Sequence, residues 1–250
     1  MAGHSKWKNI RLHKGKADQE RGKVFGKLSR ELSIAARMGG GSPDSNARLR
    51  LAIEKARESS MPADNIKRAI QKGTGELSGE GQYEEISYEG YGPGGAAVFV
   101  EAATDNRNRT VSEVRTAFSR NGGAMGEGGS VAWQFARKGV ITVEAQGAPS
   151  EDALMEMALE AGAEDFSNQG ESFEITTAPE SLMSVLDALS KANVKASGEV
   201  QMVPQNTVEL EGEAARKMLK LMEVLEDLDD VQRVAANFDI AESELQASAA

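Results

Sequence analysis

The chain has 250 residues, 29 Lys and Arg against 39 Asp and Glu, a formal net charge of −10 and no cysteine. Without cysteine there are no disulfides, thiolate zinc sites or cysteine nucleophiles. The start, Met1 to Lys16, lacks the apolar run of a secretory signal, and no apolar stretch approaches the ~20 residues that span a bilayer, so the expected location is the cytoplasm, with no membrane partner.

The charge is uneven. Residues 1–75 hold 17 Lys and Arg and 7 Asp and Glu, a net +10, whereas residues 76–250 hold 12 and 32, a net −20. Such a dipole draws a phosphate backbone to one end and repels it from the rest.

Residues 4–16 carry Lys6, Lys8, Arg11, Lys14 and Lys16 with His4 and His13 and little apolar periodicity, the pattern of an arm ordered by its partner. From about Asp18, Phe25, Leu28, Leu32 and Ala35 recur at helical spacing. They leave Lys23, Lys27, Arg30 and Arg37 on other faces until Gly39-Gly40-Gly41, read as a flexible joint, stops the helix. Ser42-Pro43 is expected to cap a second helix with Leu49, Ile53 and Ala56 as its buried stripe. Pro62 opens a third helix, with Ile66 and Ile70 inward and Lys67, Arg68 and Lys72 outward, ending at Gly73.

Gly73 to Gln82 reads as a linker. Two strands, Tyr83–Tyr88 and Ala96–Ala103, are joined by a Gly-Pro-Gly-Gly turn and followed by a helix over Thr110–Arg120, where Thr110 and Glu113 have capping-box spacing. A glycine-rich loop, Gly122–Gly129, precedes a strand expected at Ser130–Phe135. From Gly139 the order is strand (Val140–Glu144), helix (Glu151–Ala161), strand (Glu164–Ser167), strand (Ser172–Thr177), helix (Glu180–Lys191), strand (Lys195–Val203), a βαββαβ unit of ferredoxin-like type. The tail gives a strand (Thr207–Leu210), a helix (Ala214–Leu225) and a strand (Val231–Phe238) that pairs back with the sheet of residues 83–135.

Gly90, Gly92 and Gly95 have the dinucleotide-fingerprint spacing, but a strand follows instead of a helix, so they read as a turn. No Gly-Lys pair is followed by Ser or Thr at phosphate-loop spacing. The two histidines both lie in the basic arm, so no metal or other cofactor is expected. Glu226, Asp227, Asp229 and Asp230 form an acidic run that reads either as a solvated turn or as a hard-cation site. Trp7, set between Lys6, Lys8 and Arg11, suits stacking on a base or, alternatively, anchoring the arm. Arg107 and Arg109 precede a helix N-terminus, where guanidinium forks and backbone N–H groups suit phosphate, unless Asp105 holds one of them in an ion pair.

The strings MAGHSKW, RGKVFGKLSREL, NARLRLAIEKAR, MPADNIKRAIQKGTG, YEGYGPGG, TDNRNRTVSEVR and NGGAMGEGGSVAWQF, in this order over nearly the full length, resemble the YebC/PmpR family, which includes the mitochondrial translational activator of cytochrome c oxidase. The resemblance implies an α+β chain of three domains: a basic three-helix N-terminal domain, a central α/β domain and an inserted ferredoxin-like domain. The expected boundaries are 1–78, 79–136 with 205–250, and 137–204. It also implies a regulator of gene expression and no enzyme. The reading adopted is an RNA- and ribosome-associated translation factor; the alternative is a DNA-binding transcriptional regulator. The expected nucleic-acid contacts are Lys6, Trp7, Lys8, Arg11, Lys14, Lys16, Arg21, Lys23 and Lys27, then Arg107 and Arg109, with the acidic domains free to meet a protein partner.

Overall fold

The computed structural model describes residues 17–77 and 82–241, with side chains from residue 22 onward. Three helices come first, α1 (Ala17–Gly39), α2 (Ala47–Glu58) and α3 (Ala63–Thr74). Their apolar stripes close on one another around Leu28, Leu32, Leu49, Ile53, Met61 and Ile66, with Phe25 and Ile70 at the margin. The second helix is capped by Asn46, and Ser42-Pro43 lie in the turn before it. The buried Asn46 amide does what a serine hydroxyl cannot. Its Oδ1 accepts from Leu49 N at 3.0 Å, and its Nδ2 donates to the carbonyls of Ala35 (2.8 Å) and Gly40 (2.9 Å), so one side chain closes the end of α1 and the start of α2. The triple glycine is thereby a fixed corner and not a loose joint.

Gly73 is not the end of α3, which stops at Gly75 in the left-handed conformation (φ 80°). Gly73 is instead where α3 crosses α1: a Cβ there would stand 2.1 Å from the Ser33 carbonyl oxygen. Beside it Ser33 Oγ donates to the Ala69 carbonyl at 2.7 Å.

Past residue 82 the elements are β1 (Glu84–Tyr91), β2 (Ala97–Thr104), α4 (Arg107–Arg120), β3 (Ala124–Met125), β4 (Phe135–Glu144), α5 (Glu151–Glu160), β5 (Ala163–Asn168), β6 (Ser172–Thr177), α6 (Leu182–Lys191), β7 (Ala196–Pro204), β8 (Val208–Leu210), α7 (Gly212–Asp227), β9 (Val231–Ala236) and β10 (Phe238–Ile240). Strands β3-β1-β2-β9 form one antiparallel sheet. Alternate residues such as Tyr88, Val98, Val100 and Val234 turn to α4 and α7, where Phe118, Met218, Leu221 and Met222 complete a core. The last strand expected from the tail divides at Asn237. Before it β9 pairs with β2; after it β10 pairs in parallel with β8, which does not join the large sheet. Asn237 Oδ1 accepts from Ala97 N at 2.7 Å and its own N–H donates to the Ala97 carbonyl at 3.1 Å, which holds the crossover in place.

Two local expectations are corrected here. Helix α4 begins three residues before Thr110, capped by Asn106, whose Oδ1 accepts from Arg109 N at 3.1 Å. The segment Ser130–Phe135 is a turn of 3-10 helix at Ala132–Gln134, and the strand starts only at Phe135. The cause is Glu89, whose carboxylate takes the N–H groups of Gly129, Val131 and Ala132, donors that a strand would have needed for its ladder.

Residues 136–203 form a second compact unit in addition to that of residues 1–135 and 204–250. Its sheet runs β5-β6-β4-β7, with β4, β6 and β5 antiparallel, and α5 and α6 supply Leu154, Ala158, Leu182, Val185 and Leu189 against Ile141 and Ile175. This is the ferredoxin-like order. No described helix is long and apolar enough to cross a membrane.

Gly73→Ala should force α1 and α3 apart and lower stability by about 1–3 kcal/mol, the range for an overpacked contact. Urea unfolding followed by circular dichroism checks this, and an unchanged midpoint would contradict the close crossing.

Candidate nucleic-acid interface

Lys6, Trp7, Lys8, Arg11, Lys14 and Lys16 lie outside the described residues, and Arg21 lies in α1 ahead of its described side chains. Lys23, Lys27, Arg30 and Arg37, joined by Ile34, recur every three or four residues and so form one stripe of α1. The stripe faces the protein. Lys23 Nζ is 3.7 Å from Asp227 Oδ1, Lys27 Nζ donates to the Glu226 carbonyl at 2.6 Å, and Arg30 Nη2 is 3.3 Å from Asp230 Oδ1. Arg37 Nη1 donates to the Tyr83 carbonyl at 2.6 Å, and the Tyr83 ring lies under Arg30 (5.6 Å) and Lys72 (4.1 Å). The last turn of α7 is the negative end of the helix dipole, so cations are favoured at that spot.

Asp230 is the centre of this contact. It is 1% exposed. Its Oδ2 accepts from Arg109 Nη2 (2.6 Å) and Nε (3.1 Å), Thr110 Oγ1 (2.8 Å) and Thr104 Oγ1 (3.1 Å), and its backbone carbonyl accepts from Ala103 N at 2.8 Å. Burial alone would raise this carboxyl, but the Arg109 guanidinium and the two threonine hydroxyls outweigh it and hold the group below the usual carboxylate range. Arg109 also meets Asp105 at 3.0 Å. Of the two arginines singled out in the sequence, Arg109, 43% exposed, is therefore tied to the buried Asp230, while Arg107 is 60% exposed and pairs with the half-exposed Glu84 at 2.7 Å. The role of Asp230 was hidden by its neighbours, since Glu226, Asp227 and Asp229 give the run the look of a solvated turn. The available signal was its position directly before the apolar strand that starts at Val231.

A second knot joins α1, α2 and β1. Arg48 spans Glu31 (2.8 Å) and Glu85 (2.6 Å). Burial pushes Glu31 up, but the Arg48 hydrogen bond and the charges of Arg233, Arg48 and Lys55 bring it below its ordinary value. Elsewhere on the three helices Lys55 and Arg57 at the end of α2 and Lys67 and Arg68 on α3 are exposed. Among the described residues no three His, Cys, Asp or Glu side chains come together as a metal-ligating group.

Asp230→Asn should cost about 3–5 kcal/mol at pH 7, because it leaves buried partners uncompensated. As the folded carboxyl is the more acidic, the unfolded chain takes up the proton first when pH falls. The stabilisation is complete above the unfolded value of about 3.9 and is lost through the lower folded value. The gap between wild type and Asp230→Asn in urea midpoint should therefore close below about pH 4, and a gap independent of pH would refute the ionic role. Arg109→Ala should also destabilise, by about 2 kcal/mol or more, whereas Arg107→Ala should stay within about 0.5 kcal/mol of wild type.

Residues 83–238 match the family described as TACO1/YebC second and third domain, and residues 5–76 match the TACO1/YebC protein N-terminal domain. The chain is 58% identical over 242 residues to a protein from Pelotomaculum thermopropionicum, covering 96% of this chain and 99% of that one. It is 57% identical over 246 residues to a protein from Natranaerobius thermophilus, covering 97% and 98%. Both relatives carry the name "Probable transcriptional regulatory protein". Among solved structures, a conserved hypothetical protein from Aquifex aeolicus superposes with a TM-score of 0.85 at 50% identity, over 90% of this chain and 93% of that chain. Matched along both its helical and its α/β parts, the chain belongs to the TACO1/YebC family.

Proposed function

We propose that the protein is a non-enzymatic, cytoplasmic regulator of gene expression that binds folded RNA on the ribosome and acts in translation. The observation that supports this is the separation of charge, +10 over residues 1–75 against −20 over the remainder. In this reading the primary grip is the run Lys6, Lys8, Arg11, Lys14 and Lys16, continued by Arg21, with Trp7 stacking on a base. Lys23 and Lys27 extend the same positive potential while tied to the end of α7, Arg107 makes a secondary phosphate contact, and Arg109 keeps that helix start in place through Asp230. The acidic remainder keeps phosphate to one end of the chain and is open to a protein partner.

A second reading, a regulator of transcription bound to DNA, is favoured by the printed names of the relatives. The two separate in one experiment: co-sedimentation of the intact protein with ribosomes against an excess of random duplex DNA, repeated with Lys6, Lys8, Arg11, Lys14 and Lys16 changed to Glu. Retention by ribosomes and release by the charge reversal is the expected result. Stripping by duplex DNA would overturn the ribosomal reading. If about six phosphates are neutralised, log affinity should fall with log salt at a slope of roughly −4 to −5; a flat response would refute a phosphate grip altogether.

A further inference from the structure

Trp133 is 68% exposed, whereas Tyr88, Phe99, Phe118, Phe135, Phe173 and Phe238 are buried. Its surroundings hold it still. Trp133 Nε1 donates to the Ser130 carbonyl at 3.1 Å, and the hydroxyl of Tyr91, itself 40% exposed, donates to the same carbonyl at 3.0 Å. The loop that carries this carbonyl is fixed from beneath by Glu89, only 6% exposed, whose carboxylate receives Gly129, Val131 and Ala132 N–H at 2.7 Å each while its own carbonyl receives Gly126 N–H at 2.8 Å. Burial would raise that carboxyl, yet the three backbone donors hold it below its ordinary value, so the clasp is ionic. Gly129 (φ +87°) supplies the left-handed residue at which the loop turns its Gly129, Val131 and Ala132 donors inward.

Two aromatic rings thus have their polar handles already satisfied and offer only ring faces. A rigid, wetted indole face gains nothing for folding and is suited to a ligand that is itself a flat ring. The preceding Glu127, Gly128 and Gly129 bring no cation to the ring. A protein interface needs about 1,000 Å² or more of complementary surface, whereas a single base needs one ring face. We propose that Trp133 and Tyr91 form a stacking platform for an unpaired nucleobase, which makes the protein a reader of single-stranded or looped-out segments as well as a binder of phosphate. This rests on the nucleic-acid reading above.

The test uses the full chain with Trp7→Phe, which leaves Trp133 as the only tryptophan. A mixed-sequence single-stranded RNA should quench its fluorescence on binding, and the same sequence as a duplex should bind with little quenching. Trp133→Ala should weaken single-strand binding, read by anisotropy, roughly 5- to 150-fold with an unchanged salt slope, and Trp133→Phe should recover most of the loss. Reversing the arm charges should instead flatten the salt slope and leave any residual quenching intact. Binding without quenching, or equal quenching by duplex, would overturn the platform and leave the phosphate grip standing. If no nucleic acid binds under any condition, both proposals fall.

Discussion

The fold turns on one buried carboxylate. Asp230 sits at the junction of α7 and β9 and is reached by Arg30 from α1, by Arg109 and Thr110 from α4 and by Thr104 at the end of β2. A charge that is 1% exposed is tolerable only when partnered: Oδ2 takes the hydrogen bonds of Arg109, Thr110 and Thr104, and Oδ1 faces the Arg30 guanidinium at 3.3 Å. These partners come from three elements, α1, α4 and β2, so satisfying the carboxylate sets the helical domain against the sheet and the sheet against α4. An apolar residue of equal size would fill the volume but would not dictate which elements meet there.

This arrangement changes the meaning of the basic helix. Lys23, Lys27, Arg30 and Arg37 would serve phosphate well by type and spacing, yet the α7 end supplies Asp227, the Glu226 carbonyl and Asp230 in their path. The interior contact resembles a phosphate contact in its chemistry: carbonyl and carboxylate oxygens facing a row of cations. The positive charge of the first 75 residues is thus divided between holding the protein together and reaching out from it. Arg57 and Lys67, exposed on α2 and α3, belong to the second share.

Much of the architecture was legible in the chain because periodicity reports burial directly. The stripe Leu28, Leu32, Ala35 and the alternation along Ser172–Thr177 gave α1 and β6 close to their observed spans. Three of the errors fell where a polar side chain reached across the sequence. Asn46 moved a helix start, Glu89 dissolved a strand, and Asn237 split another in two. A polar residue of this kind looks like any surface residue in sequence, because its partners lie 6 to 140 positions away. The candidate site was less legible for the same reason. Arginine 109 and Arg107 share a motif and a local spacing, and only the distant Asp230 distinguishes them.

The order of synthesis gives the late position of Asp230 a temporal meaning. Strand β9 closes the large sheet against β2, some 130 residues earlier in the chain, and between them the compact unit of residues 136–203 is made first. The chain ends that bracket this unit are tied by Gln205 N donating to the Gln134 carbonyl at 2.9 Å, so it can form as a side module without blocking the return of the chain. Until residue 230 is available, however, Arg30 and Arg109 lack the carboxylate they are built around, and domains form from the N-terminus as the chain grows. A nascent or truncated chain ending before α7 therefore lacks the partners of Lys23, Lys27 and Arg30, which arrive only with residues 226–230.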